Sequence, residues 1–290
     1  MKVAALQMVS GTCVQRNLDV AAQLLAEAAA GGAELAVLPE YFCVMGLKDT
    51  DKLALQERFG AGPIQDFLAQ SAQRLGLWIV GGTLPVAAPE SAVHGAVKST
   101  VHSATQGITS DIRRIYNTSL VFNPSGQCVA RYDKMHLFRF DNGLESYDES
   151  RVLLPGTLPV TFELPSSDSH TWRVGLSICY DARFPELYRA LGADVLLVPS
   201  AFTFTTGQAH WDVLLRARAI ENFAFVIAAA QGGVHENGRR TWGHSMVVAP
   251  WGDILAQHPE GPAVVMAQLQ QQVLVNARAR LPALSHRFLQ

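Results

Sequence analysis

Three residues with reactive side chains, Glu40, Lys134 and Cys179, each lie at or just after the end of a predicted β-strand. Cys179 also stands directly before a segment that predicts the start of a helix. In open α/β sheets, sites form outside the carboxyl ends of strands, and the N–H groups of a strand-to-helix turn point toward whatever binds there. We therefore predict that these three side chains meet at one catalytic site.

A cysteine, a glutamate and a lysine together suit the hydrolysis of an amide. An amide is a poor electrophile with a poor leaving group, so its hydrolysis gains from a covalent nucleophile and a proton donor. We expect Cys179 to attack as a thiolate favoured by the helix N-terminus, and Glu40 to carry protons between thiol, departing amine and water. Lys134 and a backbone N–H near Tyr180 are expected to stabilise the tetrahedral oxyanion.

Each of these residues also has a simpler structural interpretation. A cysteine after an apolar strand is more often a small core residue, and Glu40 and Lys134 are equally compatible with a loop carboxylate and a surface lysine. Residues 175–179 resemble a serine nucleophile elbow whose last glycine is replaced, but Ser177 falls within the strand rather than at the turn. A serine mechanism is therefore disfavoured.

Motifs for metal and nucleotide binding are absent from the sequence. There is no H-E-x-x-H, no P-C-x-x-C, no GxGxxG and no P-loop, and the nine histidines are dispersed. We expect a reaction that uses no metal and no cofactor.

The order of apolar runs predicts an α/β protein. Roughly ten short β-runs alternate with helical stretches such as 17–30 and 63–75, and continuous apolar strands such as 195–198 indicate sheets covered on both faces. Alternating βα units mixed with hairpins favour two packed sheets flanked by helices. No repeat, linker or composition break interrupts residues 1–290, so we predict a single domain.

Two further segments bear on the site. Residues 86–114 are rich in Ser, Thr, Gly and Ala without a clear period, which predicts a long exposed loop and suggests a lid. Residues 211–222 predict a helix that carries Arg218 on the apolar stripe of Trp211, Leu214 and Leu215. An arginine there must reach solvent or find a partner. A buried ion pair that braces the site, or a contact between subunits, is the favoured interpretation, and direct substrate binding is the alternative.

The composition argues against several classes of partner. The formal net charge is −2 and no basic run appears, so nucleic-acid binding is not indicated. The longest apolar run, residues 223–230, is too short to cross a bilayer, and the first eight residues predict a strand rather than a signal peptide. Four scattered cysteines without a C-x-x-C pair indicate free thiols. We expect a cytoplasmic protein that binds neither nucleic acid nor membrane.

Three blocks strongly resemble the nitrilase (carbon–nitrogen hydrolase) superfamily, and they contain Glu40, Lys134 and Cys179 in the family's order. The blocks are Leu38-Pro39-Glu40, Tyr132-Asp133-Lys134-Met135-His136-Leu137-Phe138, and Gly175-Leu176-Ser177-Ile178-Cys179-Tyr180-Asp181-Ala182-Arg183-Phe184-Pro185-Glu186. The resemblance implies an α-β-β-α sandwich, cysteine-dependent hydrolysis of a small carboxamide through a thioester, and pairing into a homodimer. It also implies a second glutamate that positions substrate and base, for which Glu149 is the candidate and Glu145 the alternative.

Within the superfamily, the sequence most resembles the group of deaminated glutathione amidases and ω-amidases. Residues 214–221, 230–233 and 242–248 carry that similarity. Substrates of this group bear carboxylates, so Arg183, just after the cysteine, is a candidate anchor, and Arg239 and Arg240 are further possibilities. The sequence departs from short-looped members at residues 86–114 and 139–146, which could line the pocket. A nitrilase, an N-carbamoyl amidase and a non-catalytic binding protein on the same fold remain open alternatives.

Overall fold

The computed structural model describes residues 1–89 and 114–288. In chain order the strands are β1 (Lys2–Gln7), β2 (Leu35–Val37), β3 (Trp78–Val80), β4 (Leu84–Ala87), β5 (Ile115–Phe122), β6 (Cys128–Asp133), β7 (Arg139–Asp141), β8 (Ser146–Asp148), β9 (Thr161–Pro165), β10 (Thr171–Leu176), β11 (Val195–Leu197), β12 (Phe225–Ala228), β13 (Gly232–Val234), β14 (Arg240–Trp242), β15 (Ser245–Val248), β16 (Ile254–His258) and β17 (Ala263–Gln268).

Thirteen of these strands form two large sheets, and each sheet has three parallel strands at its centre. The first sheet has the order β17-β1-β2-β3-β5-β4, with β6 paired to β5, and β1, β2 and β3 run parallel. The second has the order β16-β15-β12-β11-β10-β9, with β10, β11 and β12 parallel. Parallel strands need crossover connections, usually helices, and the chain supplies one between each central pair.

The helices cover the outer faces of the two sheets. They are α1 (Val14–Ala30), α2 (Asp51–Ala54), α3 (Pro63–Leu75), α4 (Pro185–Leu191), α5 (Phe204–Asn222) and α6 (Gln271–Arg280). The long α1 and α3 pack beside each other on the first sheet, and α4 and α5 pack on the second. The result is a four-layer α-β-β-α sandwich, as the sequence predicted.

Strand β1 shows why its sequence is apolar without alternation. Val3 and Ala5 face the core between the two sheets, whereas Ala4 and Leu6 face the layer of α1 and α3. Successive side chains of a strand point to opposite faces, so a strand covered on both faces has no polar positions. The same argument accounts for β11, whose three residues are fully buried.

Several strands were missed by the sequence analysis, which predicted about ten where the described residues contain seventeen. The predicted loop at residues 86–114 is wrong at its start, because Val86 belongs to β4 and pairs with Tyr116. The rest of that prediction, including the lid, falls on residues 90–113, which lie outside the described residues. No helix in the described ranges is long and apolar enough to cross a membrane.

Helix α5 begins at Phe204, seven residues before the predicted start. Thr203 caps it by accepting a hydrogen bond from the N–H of Thr206. The sequence did not predict this first turn because it contains Gly207, and glycine is unfavourable inside a helix. The structure explains its presence, because a Cβ on Gly207 would lie 2.2 Å from the side chain of Trp242.

Gly82 supports the segment that follows β2. Its φ is +44°, and a Cβ built on it would lie 2.0 Å from the carbonyl oxygen of Pro39. The backbone after β3 can therefore approach the Pro39–Glu40 peptide only because residue 82 has no side chain. This contact links the first sheet directly to the position of Glu40.

We predict that Gly82→Ala destabilises the protein and lowers turnover. A left-handed alanine costs about 1–2 kcal/mol, and forced overpacking adds roughly 1–3 kcal/mol. Gly192→Ala is the matched control, since its φ is +53° and nothing lies within 4 Å of its Cβ position. Urea unfolding should show the larger loss in free energy of unfolding for Gly82→Ala, and only that variant should lose activity. Equal losses would show that the contact with Pro39 contributes nothing.

Candidate active site

Glu40 lies fully buried beyond the carboxyl end of β2, at the edge where the two sheets meet. Its Oε1 accepts hydrogen bonds from Lys134 Nζ at 2.8 Å and from Asn117 Nδ2 at 2.9 Å. Its Oε2 accepts the backbone N–H of Ala201 at 2.9 Å. Ala201 follows β11 of the second sheet, so this carboxylate joins the two halves of the sandwich.

Lys134 directly follows β6 and is held by backbone hydrogen bonds on both sides. Its N–H donates to the Asn117 carbonyl at 3.0 Å, and its carbonyl accepts from the Gly156 N–H at 2.8 Å. The buried Nζ lies 2.8 Å from both Glu40 Oε1 and Glu149 Oε2. Burial alone would lower the pKa of Lys134, but the two carboxylates raise it above its ordinary value. The ammonium therefore stays charged and cannot act as a base at neutral pH.

Glu149 completes this buried ion cluster from the turn after β8. Besides Lys134, its carboxylate accepts the Tyr41 hydroxyl at 2.8 Å and the Phe138 N–H at 2.7 Å. Burial alone would raise the pKa of Glu149, but the Lys134 and Lys52 ammonium groups hold it below its usual range. Glu149 is thus an ionised carboxylate whose position fixes that of the lysine.

Glu145, the alternative second glutamate, lies outside this cluster. It accepts the Thr205 hydroxyl at 3.1 Å and lies 3.4 Å from the Tyr147 hydroxyl. The structure brings Glu149, and not Glu145, against Lys134. The sequence could not distinguish the two glutamates, because they lie only four residues apart and each is followed by a serine.

Cys179 lies in the left-handed region, with φ at +50°, where it opens a 3-10 turn spanning Cys179–Arg183, here called the cysteine turn. Its N–H donates to the Pro199 carbonyl at 2.9 Å. Burial and the Glu40 carboxylate raise the pKa of the Cys179 thiol well above its ordinary value, and Lys134 opposes them only in part. The Cys179 thiol is therefore protonated at rest, which agrees with the expectation that Glu40 accepts the thiol proton. The thiol must lose its proton to a base during the reaction.

A buried aspartate, which the sequence analysis missed, holds the cysteine turn in this conformation. The Asp181 carboxylate accepts the Ile178 N–H at 2.8 Å and the Tyr132 hydroxyl at 2.7 Å. It also accepts the His136 N–H at 3.1 Å and lies 2.7 Å from that residue's Nδ1. Asp181 therefore fastens the turn to the segment that contains Lys134. The motif around Cys179 was the only signal for it.

Arg218 supports the same turn from α5. Its Nε donates to the Ala182 carbonyl at 2.8 Å, and its guanidinium forms an ion pair with Glu221. This contact matches the predicted buried ion pair that braces the site. The guanidinium also lies 5.6 Å from the centre of the Tyr188 ring.

Arg183 lies at the wall of the site. Its two terminal nitrogens are each 3.3 Å from His210 Nδ1, and its guanidinium lies 5.8 Å and 5.6 Å from the Tyr180 and Phe202 rings. These contacts orient the side chain. Among residues 1–89 and 114–288, no carboxylate forms an ion pair with the Arg183 guanidinium. An arginine held in this way is suited to bind an anionic group.

Glu40, Cys179, Glu149, Tyr180 and Arg183, but not Lys134, line one cavity of about 290 Å³ including its open mouth, here called the inner cavity. It is lined by Glu40, Phe138, Glu149, Cys179, Tyr180, Arg183, Ala201, Phe202, Thr203, Thr206 and Arg239. Lys134 lies beneath it, behind the two glutamates. The cavity thus combines a thiol, a carboxylate beside it, a buried ammonium and cationic walls, a set able to hydrolyse a small acidic amide.

Metal ligation is not built into this region. Within residues 1–89 and 114–288, no group of three or more His, Cys, Asp and Glu side chains is arranged to hold a metal ion. The glutamates of the inner cavity instead share Lys134.

The chain belongs to the carbon–nitrogen hydrolase family, because that family's model matches residues 2–279. It is therefore a hydrolase acting on carbon–nitrogen bonds, and the predicted membership of the nitrilase superfamily is confirmed.

Similar proteins include amidases of this family. The chain is 40% identical to a deaminated glutathione amidase from Synechocystis sp., over 98% of this chain and 97% of that protein. The crystal structure of the Caenorhabditis elegans NitFhit protein matches with a TM-score of 0.82 and 33% identity, over 99% of this chain and 65% of that one. An amidase from Nesterenkonia sp., described with an acrylamide adduct at its active-site cysteine, matches with a TM-score of 0.71 and 25% identity, over 98% of each chain.

We predict that Glu149→Gln lowers turnover by roughly 100-fold or more, because the lysine loses a buried charged partner that fixes its position. Glu145→Gln makes the same chemical change on a residue outside the ion cluster and should stay within about threefold of the parent enzyme. Steady-state kinetics on one amide, with thermal unfolding as a check on folding, separates the two. Equal losses, or a larger loss in Glu145→Gln, would assign the second glutamate to Glu145.

Proposed function

We propose that this protein is an amidase with Cys179 as nucleophile, Glu40 as general base and Lys134 as electrostatic partner. The observation that carries the proposal is the buried Glu40 carboxylate, which bonds Lys134 and lines the same cavity as a thiol of raised pKa. A protonated cysteine beside an ionisable carboxylate is an activated nucleophile of the thiol–base type.

In the acylation step, Glu40 takes the thiol proton as Cys179 Sγ attacks the amide carbonyl carbon. The Lys134 ammonium and the Tyr180 N–H stabilise the oxyanion that forms on the carbonyl oxygen. Glu40 then gives its proton to the amine nitrogen, the carbon–nitrogen bond breaks, and a thioester remains on Cys179.

In the deacylation step, Glu40 removes a proton from water, which attacks the thioester carbonyl. The tetrahedral intermediate collapses with departure of the thiolate, which recovers a proton through Glu40, and the carboxylate product is released. Lys134 keeps its charge even while Glu40 carries the proton, since the Glu149 carboxylate has the larger effect in raising the lysine pKa. Glu149 acts by positioning Lys134.

We propose deaminated glutathione as the substrate. The support is the 40% identity with an amidase of that name, which extends along nearly the whole chain. Deaminated glutathione is a secondary amide with a carboxylate at each end, and Arg183 in the inner cavity offers a charge for one of them. An ω-amidase acting on α-ketoglutaramate is the second candidate, and it would use the same machinery.

We further propose that residues 1–290 form one catalytic domain and that the protein works in the cytoplasm as a homodimer. Support for pairing lies on α5, where Val213 and Ile220, seven residues apart on one face, are 67% and 44% exposed. Trp251 is 50% exposed on the neighbouring turn, which Arg216 joins to α5 through the Gly252 carbonyl. An exposed apolar patch of this kind is typical of an interface.

We predict that kcat/KM is highest for deaminated glutathione, lower for α-ketoglutaramate, and lowest for a simple aliphatic amide, a nitrile and an N-carbamoyl amino acid. The carboxylates that Arg183 can bind are fewer or absent in the poorer substrates. Release of amine or ammonia from each compound gives the ranking. Equal or better rates on the aliphatic amide, the nitrile or the carbamoyl compound would refute the substrate assignment.

The assigned residues are tested in the same assay. Cys179→Ala, Glu40→Gln and Lys134→Ala should each lower kcat by roughly 1,000-fold or more, and double variants should lose little beyond the singles. Cys13→Ala removes an exposed cysteine that is distant in sequence from Cys179, and this variant should behave as the parent enzyme. Substantial activity in Glu40→Gln would mean that another group is the base.

For the assembly, we predict that Val213→Asp converts a dimer into a monomer of 31.4 kDa in sedimentation velocity experiments, because it places a charge in the apolar patch. Leu158→Asp, at a residue 70% exposed outside α5, is the control and should leave the dimer intact. A monomeric parent protein would end the dimer proposal.

A further inference from the structure

A second, larger depression adjoins the inner cavity and opens to solvent. Its volume, open space at the mouth included, is about 1170 Å³, against about 290 Å³ for the inner cavity measured in the same way. We call it the outer basin, and it is lined by Tyr41, Val44, Met45, Gly46, Leu47, Lys48, Asp49, Lys52, Glu145, Ser146, Tyr147, Asn237, Gly238, Arg239 and Arg240. None of these residues takes part in the proposed bond-breaking steps.

The two spaces share a border. Arg239 lines both of them. Tyr41 lines the outer basin and donates its hydroxyl to Glu149, which lines the inner cavity. Tyr147 of the basin packs 5.8 Å from Phe138 of the inner cavity, measured between ring centres. Arg239 and the Tyr41–Glu149 pair therefore lie at the border between the two spaces.

The outer basin is rich in positive charge. Four cationic residues line it, Lys48, Lys52, Arg239 and Arg240, against two carboxylates, Asp49 and Glu145. A concave surface with an excess of one sign concentrates ligands of the opposite sign.

Lys52 is poorly neutralised by its surroundings. Its side chain is 13% exposed, and its Nζ lies 3.8 Å from Asp49 Oδ1, too far for a strong hydrogen bond. The same nitrogen lies 4.3 Å above the Tyr41 ring. Burial lowers the pKa of Lys52, although Asp49 and Glu149 counter it. A carboxylate arriving in the basin would supply the hydrogen-bonding partner that this ammonium lacks.

Arg239 also has donors to spare. Its Nη2 donates to the Ala201 carbonyl at 3.0 Å, and its guanidinium lies 5.0 Å from the centre of the Tyr147 ring. Its buried Nε has no hydrogen-bond partner among residues 1–89 and 114–288. Its Nη1 makes no hydrogen bond within the same residues, so this nitrogen is a donor free to bind an anion.

We propose that the outer basin binds a carboxylate on the amine half of a secondary amide, with Lys52 and Arg239 as its partners. The proposal rests on the proposed amidase function and extends it to the leaving group. A primary amide releases only ammonia and needs no binding surface beyond the inner cavity. A secondary amide whose amine ends in a carboxylate must continue outward from the scissile bond, and the cationic basin lies along that path.

The test compares substrates that differ only at the far end of the amine half. Deaminated glutathione ends in a glycine carboxylate, and its glycinamide analogue replaces that carboxylate with a neutral carboxamide. Two charge-assisted hydrogen bonds predict a KM about tenfold or more lower for the carboxylate substrate, with similar kcat. α-Ketoglutaramate, a primary amide without an amine half, serves as the third substrate.

Lys52→Gln should raise KM about tenfold for deaminated glutathione and leave KM for the other two substrates unchanged. Arg74→Gln removes a positive charge from the exposed face of α3 and is the control, expected to match the parent enzyme on all three substrates. Because the parent enzyme's preference for the carboxylate is an independent measurement, the proposal can be judged even if Lys52→Gln folds poorly.

The outcomes distinguish this proposal from the one on which it rests. Equal KM values for the carboxylate and glycinamide substrates in the parent enzyme would overturn the outer subsite and leave the amidase intact. A Lys52→Gln variant that keeps the full preference, or that loses kcat equally on all three substrates, would also overturn it. No hydrolysis of any of the three by the parent enzyme would refute the proposed function itself.

Discussion

The buried Lys134 ammonium, between the Glu40 and Glu149 carboxylates, is the interaction on which the rest of the site depends. Removing charges from water costs several kcal/mol per ion, and only good geometry with further hydrogen bonds offsets that cost. Here Asn117 and Ala201 donate hydrogen bonds to the Glu40 carboxylate, and Tyr41 and Phe138 donate to that of Glu149. Because those donors come from both sheets and from the β7–β8 hairpin, the ion cluster is satisfied only when the whole sandwich is assembled.

A second constraint is the positive φ of Cys179. A non-glycine residue rarely adopts this conformation unless the surrounding structure stabilises it. Three contacts enforce it: the Pro199 carbonyl on the cysteine N–H, the Asp181 carboxylate on the N–H before it, and Arg218 on the Ala182 carbonyl. The strain allows a residue at the end of a buried strand to present its side chain to a cavity. The same burial raises the pKa of the thiol, so the proposed mechanism requires both the strained turn and Glu40 as base.

The sequence predicted those parts of the site that are set by local pattern. Helix α3 was predicted at its observed bounds, and Glu40, Lys134 and Cys179 were placed correctly after strands, since apolar runs and proline or glycine stops are local signals. Tyr41, Asn117 and Asp181 were missed because each has a hydrogen-bond partner 49 or more residues away in the chain. The raised pKa of the Cys179 thiol could not be predicted for a similar reason, because burial is a property of the fold. The β7–β8 hairpin was hidden by its polar, solvent-exposed strands.

The charged residues of the ion cluster and those of the outer basin differ in how much their substitution disturbs the folded protein. Those of the ion cluster are fully bonded to one another, so substituting one leaves its partners buried and unsatisfied, at a cost of about 3–5 kcal/mol. Those of the outer basin, Lys52 and Arg239 above all, are bonded to neutral carbonyls and rings or to a distant carboxylate. Changing them leaves few broken contacts in the folded protein. The proposed chemistry and the proposed recognition can therefore vary separately, the first in the ion cluster of the inner cavity and the second in the outer basin.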